Sequence, residues 1–340
     1  MSVVPNARNK VEDDAALIAL ASQPVQQSQT PPRIRQDPYI ALSLLSLAPV
    51  AVCISDRYWP SLCRTIVRAA PLGRTGLLRR SQTLAGLRLA FAGAPSADED
   101  ALDDVCRELD AHRLELRLQI LRDLLLRNWR PEIRVEGTAH LAAALAAGRG
   151  AVLWIARFAF AETVAKIGLW RAGYPSAHLS RTIHGFSHSL FGRRWLNPVK
   201  LRMENRYLAE RIVLNDGAPG AAMRRLYNVL LGNGVVSITV DTWGAHVAEA
   251  PFLRGRLRVA TGAPSLAWKT GAPLLPVFVL RDHASGGFRL LIEGPLPTDP
   301  TRPKSDAQQA AVARYANLLE PHVGAYPGQW RDWAKLRPAS

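Results

Sequence analysis

A short, continuous apolar run, Ala151–Ala156, lies between Gly148-Arg-Gly150 and Arg157. A run of this length without polar alternation is typical of a strand that is buried on both faces. Four residues separate Arg157 from Glu162, and the pattern from Glu162 onward is helical. The stretch therefore predicts a buried strand that feeds a helix. Arg157 and Glu162 lie at the mouth of the turn, which is where open α/β sheets keep their chemistry.

Strand and helix patterns alternate through the region that follows Pro131. This alternation predicts an α/β fold with a mostly parallel central sheet flanked by helices. The predicted strands are 133–136, 151–156, 176–179, 211–214, 235–241 and 274–281, with a hairpin partner at 288–293. The predicted helices between them are 138–147, 162–172, 218–231 and 263–270.

Composition divides the chain into four parts. Residues 1–37 are rich in Gln, Pro and Ser and predict a disordered tail. Residues 38–130 predict a helical N-terminal region, 131–325 the α/β domain, and 326–340 a C-terminal tail in which tryptophans pack. In the helical region, Ser96-Ala-Asp-Glu99 has the form of a capping box and predicts a helix start. A separate basic helix is predicted from Arg113 to Asn128.

The most apolar stretch of the N-terminal region is Tyr39–Ile54. It contains Pro49 and is shorter than the ~20 residues that a helix needs to cross a bilayer. Three readings remain open: a buried pair of helices, a helix that dips into a membrane surface, and a true span. The aromatic and basic flank Arg57-Tyr-Trp59 favours the membrane surface over the span.

The chain is strongly basic, with a net charge of +15. This charge favours an anionic partner: an anionic membrane, an acidic carrier protein, a nucleotide thioester or a nucleic acid. The alternative is an arginine-rich composition that only keeps the protein soluble. The three cysteines have no paired spacing, which fits neither a zinc site nor a disulfide framework. Together with the lack of a secretory pattern in Met1–Glu12, they predict a cytoplasmic protein.

Charged side chains end or follow several predicted strands. Because the carboxyl ends of parallel strands line one crevice, these residues are expected to converge. Arginines beside carboxylates there would form a cleft that binds phosphate or carboxylate groups. The alternative is that each is a solvated side chain or part of an internal salt bridge. The strand-end residues are Arg157, Arg181, Asp241 and Arg281, with Glu162 in the same turn as Arg157.

The order of these segments resembles the bacterial lipid A late acyltransferases, a branch of the lysophospholipid acyltransferase superfamily. The lead-in Val135–Trp154 is similar to the approach to the family's active-site motif. The resemblance extends over roughly residues 40 to 320. The other matching segments are Leu87–Phe91, Asn233–Asp241, the loop Pro251-Phe-Leu-Arg-Gly255, Thr261–Ala267 and Thr270–Arg281.

The resemblance implies a glycerol-phosphate acyltransferase-like fold and acyl transfer from a thioester. In the family a histidine acts as the general base on the acceptor hydroxyl, and an acidic residue orients it. Glu162 matches the acidic position, but Arg157 stands where the histidine is expected. A general base needs a pKa near the working pH, whereas arginine stays protonated. Arg157 therefore cannot take a proton from an acceptor.

Three accounts follow from this departure. In the first, the acceptor is an amine or hydroxylamine, and Arg157 stabilises the oxyanion or binds an acidic group. In the second, another histidine supplies the base: His184 and His188, spaced i, i+4, or His246 after the strand that ends at Asp241. In the third, catalysis is lost and the same cleft binds lipid, a carrier protein or tRNA.

Two further residues each have two possible roles. Trp243 either lines a substrate pocket or packs in the core, and Arg254 either contacts a phosphate or carrier protein or lies in a solvated loop.

The expected donor is acyl-carrier protein or acyl-coenzyme A, with aminoacyl-tRNA as a minority option, and no bound cofactor or metal is expected. The acceptor would be a membrane saccharolipid or a soluble metabolite. The expected location is the cytoplasm, with peripheral contact to anionic lipid on the cytoplasmic face of the inner membrane as an option; the sequence leaves the oligomeric state open.

Overall fold

A computed structural model describes most of the chain after residue 36. The described residues are 37–69, 74–93, 98–127, 129–181, 194, 197–214, 219–242, 244, 246–282 and 286–339. The predicted disordered tail, 1–37, lies outside them except for its last residue.

The N-terminal region is helical, as predicted. Its last helix packs against the first two and against the C-terminal segment. Among the described helices, none is both long and apolar enough to cross a bilayer. The four helices are α1 (Asp37–Cys53), α2 (Trp59–Ala69), α3 (Arg74–Phe91) and α4 (Glu99–Leu126), and a 3-10 turn, Asp56–Tyr58, lies between α1 and α2.

Two details of this region differ from the sequence-based expectation. Residues 39–53 of the apolar run lie in one helix, α1, with Pro49 inside it, and not in a helix pair. The two helices predicted on either side of residue 112 are one 28-residue helix, α4. No glycine or proline interrupts α4, and the Arg113–Asp110 ion pair (2.5 Å) ties its turns together across the predicted break. Helix α4 begins at Glu99 with Asp98 as its N-cap, two residues later than a cap at Ser96 would place it, and Ser96 lies outside the described residues.

The central sheet has seven strands, in the spatial order β1–β9–β8–β2–β5–β3–β4. All neighbours are parallel except β8 and β9, so β1 and β9 run opposite to the other five. The strands are β1 (Ile133–Glu136), β2 (Ala151–Ile155), β3 (Ala177–Arg181), β4 (Glu210–Leu214), β5 (Val235–Thr239), β8 (Leu274–Arg281) and β9 (Phe288–Ile292). The flanking helices are α5 (Thr138–Ala146), α6 (Ala161–Arg171), α7 (Asn197–Asn205), α8 (Pro219–Leu231), α9 (Gly262–Thr270) and α10 (Lys304–Ala325).

Burial explains why the central strands could be predicted from the sequence. Every residue of β2 and β8 is buried, and both strands are continuous apolar runs apart from Arg281 at the end of β8. The antiparallel pair β8–β9 confirms the hairpin partner that was predicted after residue 287. The sheet, the flanking helices and the helical N-terminal region together confirm the predicted α/β fold class.

A second, three-stranded sheet was not predicted. Strands β6 (Val247–Phe252) and β7 (Gly255–Ala260) form an antiparallel hairpin, and β10 (Arg337–Pro338) adds to β7. Helix α10 packs against β6 and was also missed. The hairpin is hard to read because β6 contains Pro251 and residues 254–258 alternate arginine with small or apolar residues.

The C-terminal segment completes the core. Trp330 and Trp333 are buried and their rings meet at 4.8 Å between centroids. Helix α3 reaches Trp333 through a close approach at Gly86, where an added Cβ would lie 1.9 Å from the backbone oxygen of Trp333. Only a residue without a Cβ allows the helix and the 3-10 turn Trp333–Lys335 to pack this closely.

The Gly86→Ala variant should therefore be destabilised, because the methyl group must push α3 away from the turn at Trp333. We expect a loss of about 1–3 kcal/mol in the free energy of unfolding, measured by chemical denaturation. Gly324→Ala is the matched control: it is also a helical glycine, and an added Cβ meets nothing within 4 Å. The control should be neutral or up to about 1 kcal/mol more stable. Equal losses in both variants would contradict this account.

Candidate active site

The turn after β2 is held by backbone pairing with the C-terminal segment. The amide of Ala159 donates to the carbonyl of Gln329 (2.7 Å), and the amide of Arg331 donates to the carbonyl of Arg157 (3.0 Å). These bonds flank an isolated antiparallel bridge between Phe158 and Trp330. The pairing fixes the backbone of the turn that carries Arg157 and brings the side chains of residues 331–335 to the end of β2.

Arg157 and Arg181 both approach Asp241, as the strand-end argument predicted. Arg181 Nη2 lies 3.0 Å from Asp241 Oδ2, and Arg157 Nη1 lies 3.7 Å from Asp241 Oδ1. The carboxylate of Asp241 also accepts from the amide of Thr242 at 2.7 Å, which holds the aspartate in place. Three neighbouring strands, β2, β5 and β3, thus contribute one charged side chain each to a common cleft.

Two residues that the sequence analysis did not single out complete this cleft. Asp332 Oδ1 lies 3.3 Å from Arg157 Nε, and its side chain is only 7% exposed. Lys335 Nζ lies 3.1 Å from Asp332 and 3.5 Å from Asp241. We call these five residues, Arg157, Arg181, Asp241, Asp332 and Lys335, the strand-end cluster.

Arg157 is charged, and its side chain stays partly exposed beside the carboxylates that surround it. Burial opposes its charge, yet the carboxylates of Asp332, Asp241 and Glu162 outweigh burial and raise the pKa of Arg157 above its ordinary value. Its contacts are ion pairs without hydrogen-bond alignment, and its buried Nε has no hydrogen-bond partner among the described residues. The side chain is 23% exposed. Arg157 is therefore a fixed cation, held between Asp332 and Asp241, whose side chain is partly exposed to the cleft.

Glu162 lies in the first turn of α6 but does not pair directly with Arg157. Its carboxylate meets Lys200 Nζ at 3.0 Å and Arg331 Nη1 at 3.4 Å. The pKa of Lys200 is raised, because Glu162 and Glu204 outweigh the opposing effect of burial. Glu162 thus forms ion pairs with two cations, and it raises the pKa of Arg157 by electrostatic attraction without a direct contact.

Behind Glu162 lies a fully buried ionic cluster. Glu204 is 0% exposed and accepts from Lys166 at 2.6 Å and Arg211 at 2.7 Å, and it lies 3.5 Å from Lys200. Lys166 is equally buried, and burial is the main reason that its pKa is lowered. Three cations thus share Glu204, and Lys200 also pairs with Glu162. The cluster carries an excess of positive charge beneath the cleft.

The structure places two predicted site residues away from the strand-end cluster. Arg281 is buried and forms an internal ion pair with Glu115, while its guanidinium lies 5.5 Å from the ring centroids of Phe160 and Phe288. Its position at the end of β8 aims it at α4, which the sequence could not reveal. Arg254 lies at the turn of the β6–β7 hairpin, at the opposite end from the residues that adjoin Asp241.

Of the three histidines proposed as replacement bases, His246 is the one that lies within the described residues. The ring of His246 is exposed and, among the described residues, makes no hydrogen bond or ion pair with Glu162 or Asp241. His184, His188 and Trp243 lie outside the described residues. Over the ranges that are described, no group of three or more His, Cys, Asp or Glu side chains is placed to hold a metal ion.

The residues missed by sequence reasoning fall into two groups. Asp332 and Lys335 reach the site through backbone pairing between segments about 170 residues apart, which leaves no local pattern. Lys166, Lys200 and Glu204 lie on helices α6 and α7 and resemble ordinary surface charges in the sequence. The packed tryptophans on either side of Asp332 were the one available signal.

Comparison with known proteins supports the resemblance over part of the chain. Residues 194–335 match the bacterial lipid A biosynthesis acyltransferase family model. The matched region includes Asp241, Asp332 and Lys335 of the strand-end cluster, but it begins after Arg157, Glu162 and Arg181. The chain thus carries an acyltransferase family region, which supports an acyltransferase function in general. No curated protein sequence matches the chain.

The charge excess around Glu204 predicts an asymmetry between two substitutions. Glu204→Gln removes the shared counter-charge of three buried or half-buried cations and should lower the free energy of unfolding by about 3–5 kcal/mol. Lys166→Met removes one costly buried cation, and Glu204 keeps two others. It should change the free energy of unfolding by less than about 1 kcal/mol or raise it. Denaturant titration of both variants tests this, and equal destabilisation would show that the cluster is balanced.

Proposed function

We propose that this protein transfers an acyl group from a thioester or ester donor to an amine acceptor at the strand-end cluster. The acyltransferase family region supports the reaction class. The partly exposed guanidinium of Arg157, held between Asp332 and Asp241 at the cleft, is the observation that carries the mechanism. Arginine cannot act as a base, so its chemical contribution is positive charge and directed N–H donors.

In the proposed step, the neutral amine nitrogen attacks the carbonyl carbon of the donor. The carbonyl oxygen becomes an oxyanion, which accepts hydrogen bonds from Arg157 in a partly buried cleft. The tetrahedral intermediate then collapses, the carbon–sulfur or carbon–oxygen bond to the donor breaks, and the leaving group takes the proton released by the amine. This route needs no protein side chain with a pKa near 7.

The basic surface supports a donor that carries negative charge. Acyl-carrier protein and acyl-coenzyme A both fit, and an aminoacyl-tRNA fits the same charge argument. Arg181 is 52% exposed at the edge of the cluster and is suited to contact such a donor or an acidic group of the acceptor. The acceptor is an amine or hydroxylamine on a small metabolite or on a lipid.

A non-catalytic binding protein is the competing proposal. It is favoured by Arg157 itself, which stands where the resemblance implies a general-base histidine and which cannot accept a proton. In that case the same cleft would bind a lipid, a carrier protein or tRNA without turnover.

Pairs of acceptors that differ only in the nucleophile separate these proposals. The purified protein is incubated with each donor and with an alkylamine or the alcohol of equal chain length, and products are measured by mass spectrometry. We expect acylation of the amine and not of the alcohol. If no donor loses its acyl group to any acceptor in the panel, the transferase proposal fails and the binding proposal stands.

Substitution of Arg157 tests its role directly. Arg157→Met keeps much of the side-chain length but removes the charge, and kcat should fall by about 100- to 1000-fold. Arg157→His would place an imidazole beside Asp241 and Asp332, whose carboxylates favour its protonated form, so we expect no gain of activity towards the alcohol. The control Arg225→Met removes an exposed arginine on α8 and should leave kcat unchanged. Unchanged turnover in Arg157→Met would place the chemistry elsewhere.

We also propose that α1 and the basic residues after it contact an anionic membrane surface. Leu42 and Leu45 are 64% and 71% exposed, and Val52 is 40% exposed. Arg57 stacks on the ring of Tyr58 at 4.6 Å directly after this helix. Exposed apolar side chains beside aromatic and basic ones are suited to the boundary between headgroups and acyl chains.

Vesicle flotation checks this contact. The protein should float with vesicles that contain phosphatidylglycerol, less with phosphatidylcholine alone, and high salt should release it. The Leu42→Ser/Leu45→Ser variant should bind at least about tenfold more weakly, because two leucines no longer enter the lipid. Leu231→Ser is the control, since Leu231 is 63% exposed on α8. Equal binding by both variants would contradict a role for α1.

A further inference from the structure

A cationic cavity lies between α4 and the turn after β2. Its volume is about 140 Å³, and four of its lining residues are Arg113, Arg117, Lys200 and Arg331. Since one water occupies about 30 Å³ of liquid, the cavity has room for a group of several heavy atoms. It lies on the α4 side of Glu162, whereas the strand-end cluster gathers around Asp241.

The carboxylates at this cavity do not match its cations evenly. Asp110 pairs with Arg113, and Glu162 pairs with both Lys200 and Arg331. Arg117 is half-buried and has no hydrogen-bond or ion-pair partner in the part of the chain that is described. Burial and the neighbouring Arg113 lower the pKa of Arg117, and Asp110 opposes them only in part.

The second half of the lining is apolar. Leu109, Leu116 and Ile120 come from the same face of α4 as the two arginines, at helical spacing. A cavity with a cationic end and an aliphatic wall complements an anion that is attached to a short hydrocarbon part. Planar guanidinium groups bind phosphate oxygens in pairs, so a phosphate ester fits this lining better than a carboxylate of one charge.

We infer that this cavity is a binding site for a phosphate ester, with the phosphate between Arg113, Arg117 and Arg331 and the adjoining carbon chain on the leucine wall. A soluble phosphorylated ligand and the headgroup of an acidic phospholipid share this chemistry. The inference does not rest on the proposed transfer reaction, because binding is measured without any donor or acceptor.

Isothermal titration with butyl phosphate tests the inference, with inorganic phosphate and butanol as the two half-ligands. Butyl phosphate should bind more tightly than inorganic phosphate, and butanol should not bind. Arg117→Gln should weaken butyl phosphate by about tenfold or more, because a charge-assisted hydrogen bond is lost. The control Arg107→Gln lies on the same helix outside the cavity and should bind like the wild type.

Stability of the unliganded protein separates a binding role from a structural one. Arg117→Gln removes an unpaired, half-buried cation, so its Tm without ligand should stay the same or rise, although ligand binding falls. Vesicles of phosphatidic acid and of phosphatidylcholine form the second arm. Binding of phosphatidic acid vesicles that depends on Arg117 would support the inference with a lipid as the source. If neither butyl phosphate nor phosphatidic acid binding depends on Arg117, the inference is overturned.

Discussion

The structure of the site depends on the pairing of residues 157–159 with residues 329–331. Two backbone hydrogen bonds and one bridge join the turn after the central strand to the last part of the chain. Because buried backbone groups must be paired, this contact fixes the turn more firmly than side-chain contacts could. It also places Arg331 within ion-pair distance of Glu162 and Asp332 within ion-pair distance of Arg157. The C-terminal segment is therefore a structural part of the cleft.

Charge is distributed unevenly around this framework. Cations gather on the α4 side and beneath Glu162, while Asp241 and Asp332 carry the negative charge at the strand ends. A buried cation is costly unless it is paired, so an anion at this cavity would offset a cost that the fold otherwise carries. The same principle explains why Arg281, which has its own partner in Glu115, belongs to the core and not to the cleft.

The sequence predicted the parts of the fold that have local signatures. β2 and β8 could be predicted because full burial makes them nearly continuous apolar runs, and the convergence of Arg157, Arg181 and Asp241 follows from parallel strands. The β6–β7 hairpin has no such signature, because Pro251 and the arginines interrupt the alternation of apolar and polar residues that would identify its strands. Asp332 and Lys335 could not be assigned to the site, since their position is set by tertiary pairing over a long sequence separation.

The arginine at the end of β2 fits its surroundings in a way that a neutral histidine would not. Asp332 is almost fully buried, and among the described residues Arg157 and Lys335 are the two cations within ion-pair distance of it; both are shared with Asp241. A neutral imidazole would leave Asp332 and Asp241 with too little positive charge, and the two carboxylates would tend to hold the imidazole protonated. A protonated imidazole is no better a base than arginine. The carboxylates that surround position 157 therefore favour a permanent cation there, and acyl transfer at this cleft then requires an acceptor that is nucleophilic without help from the protein.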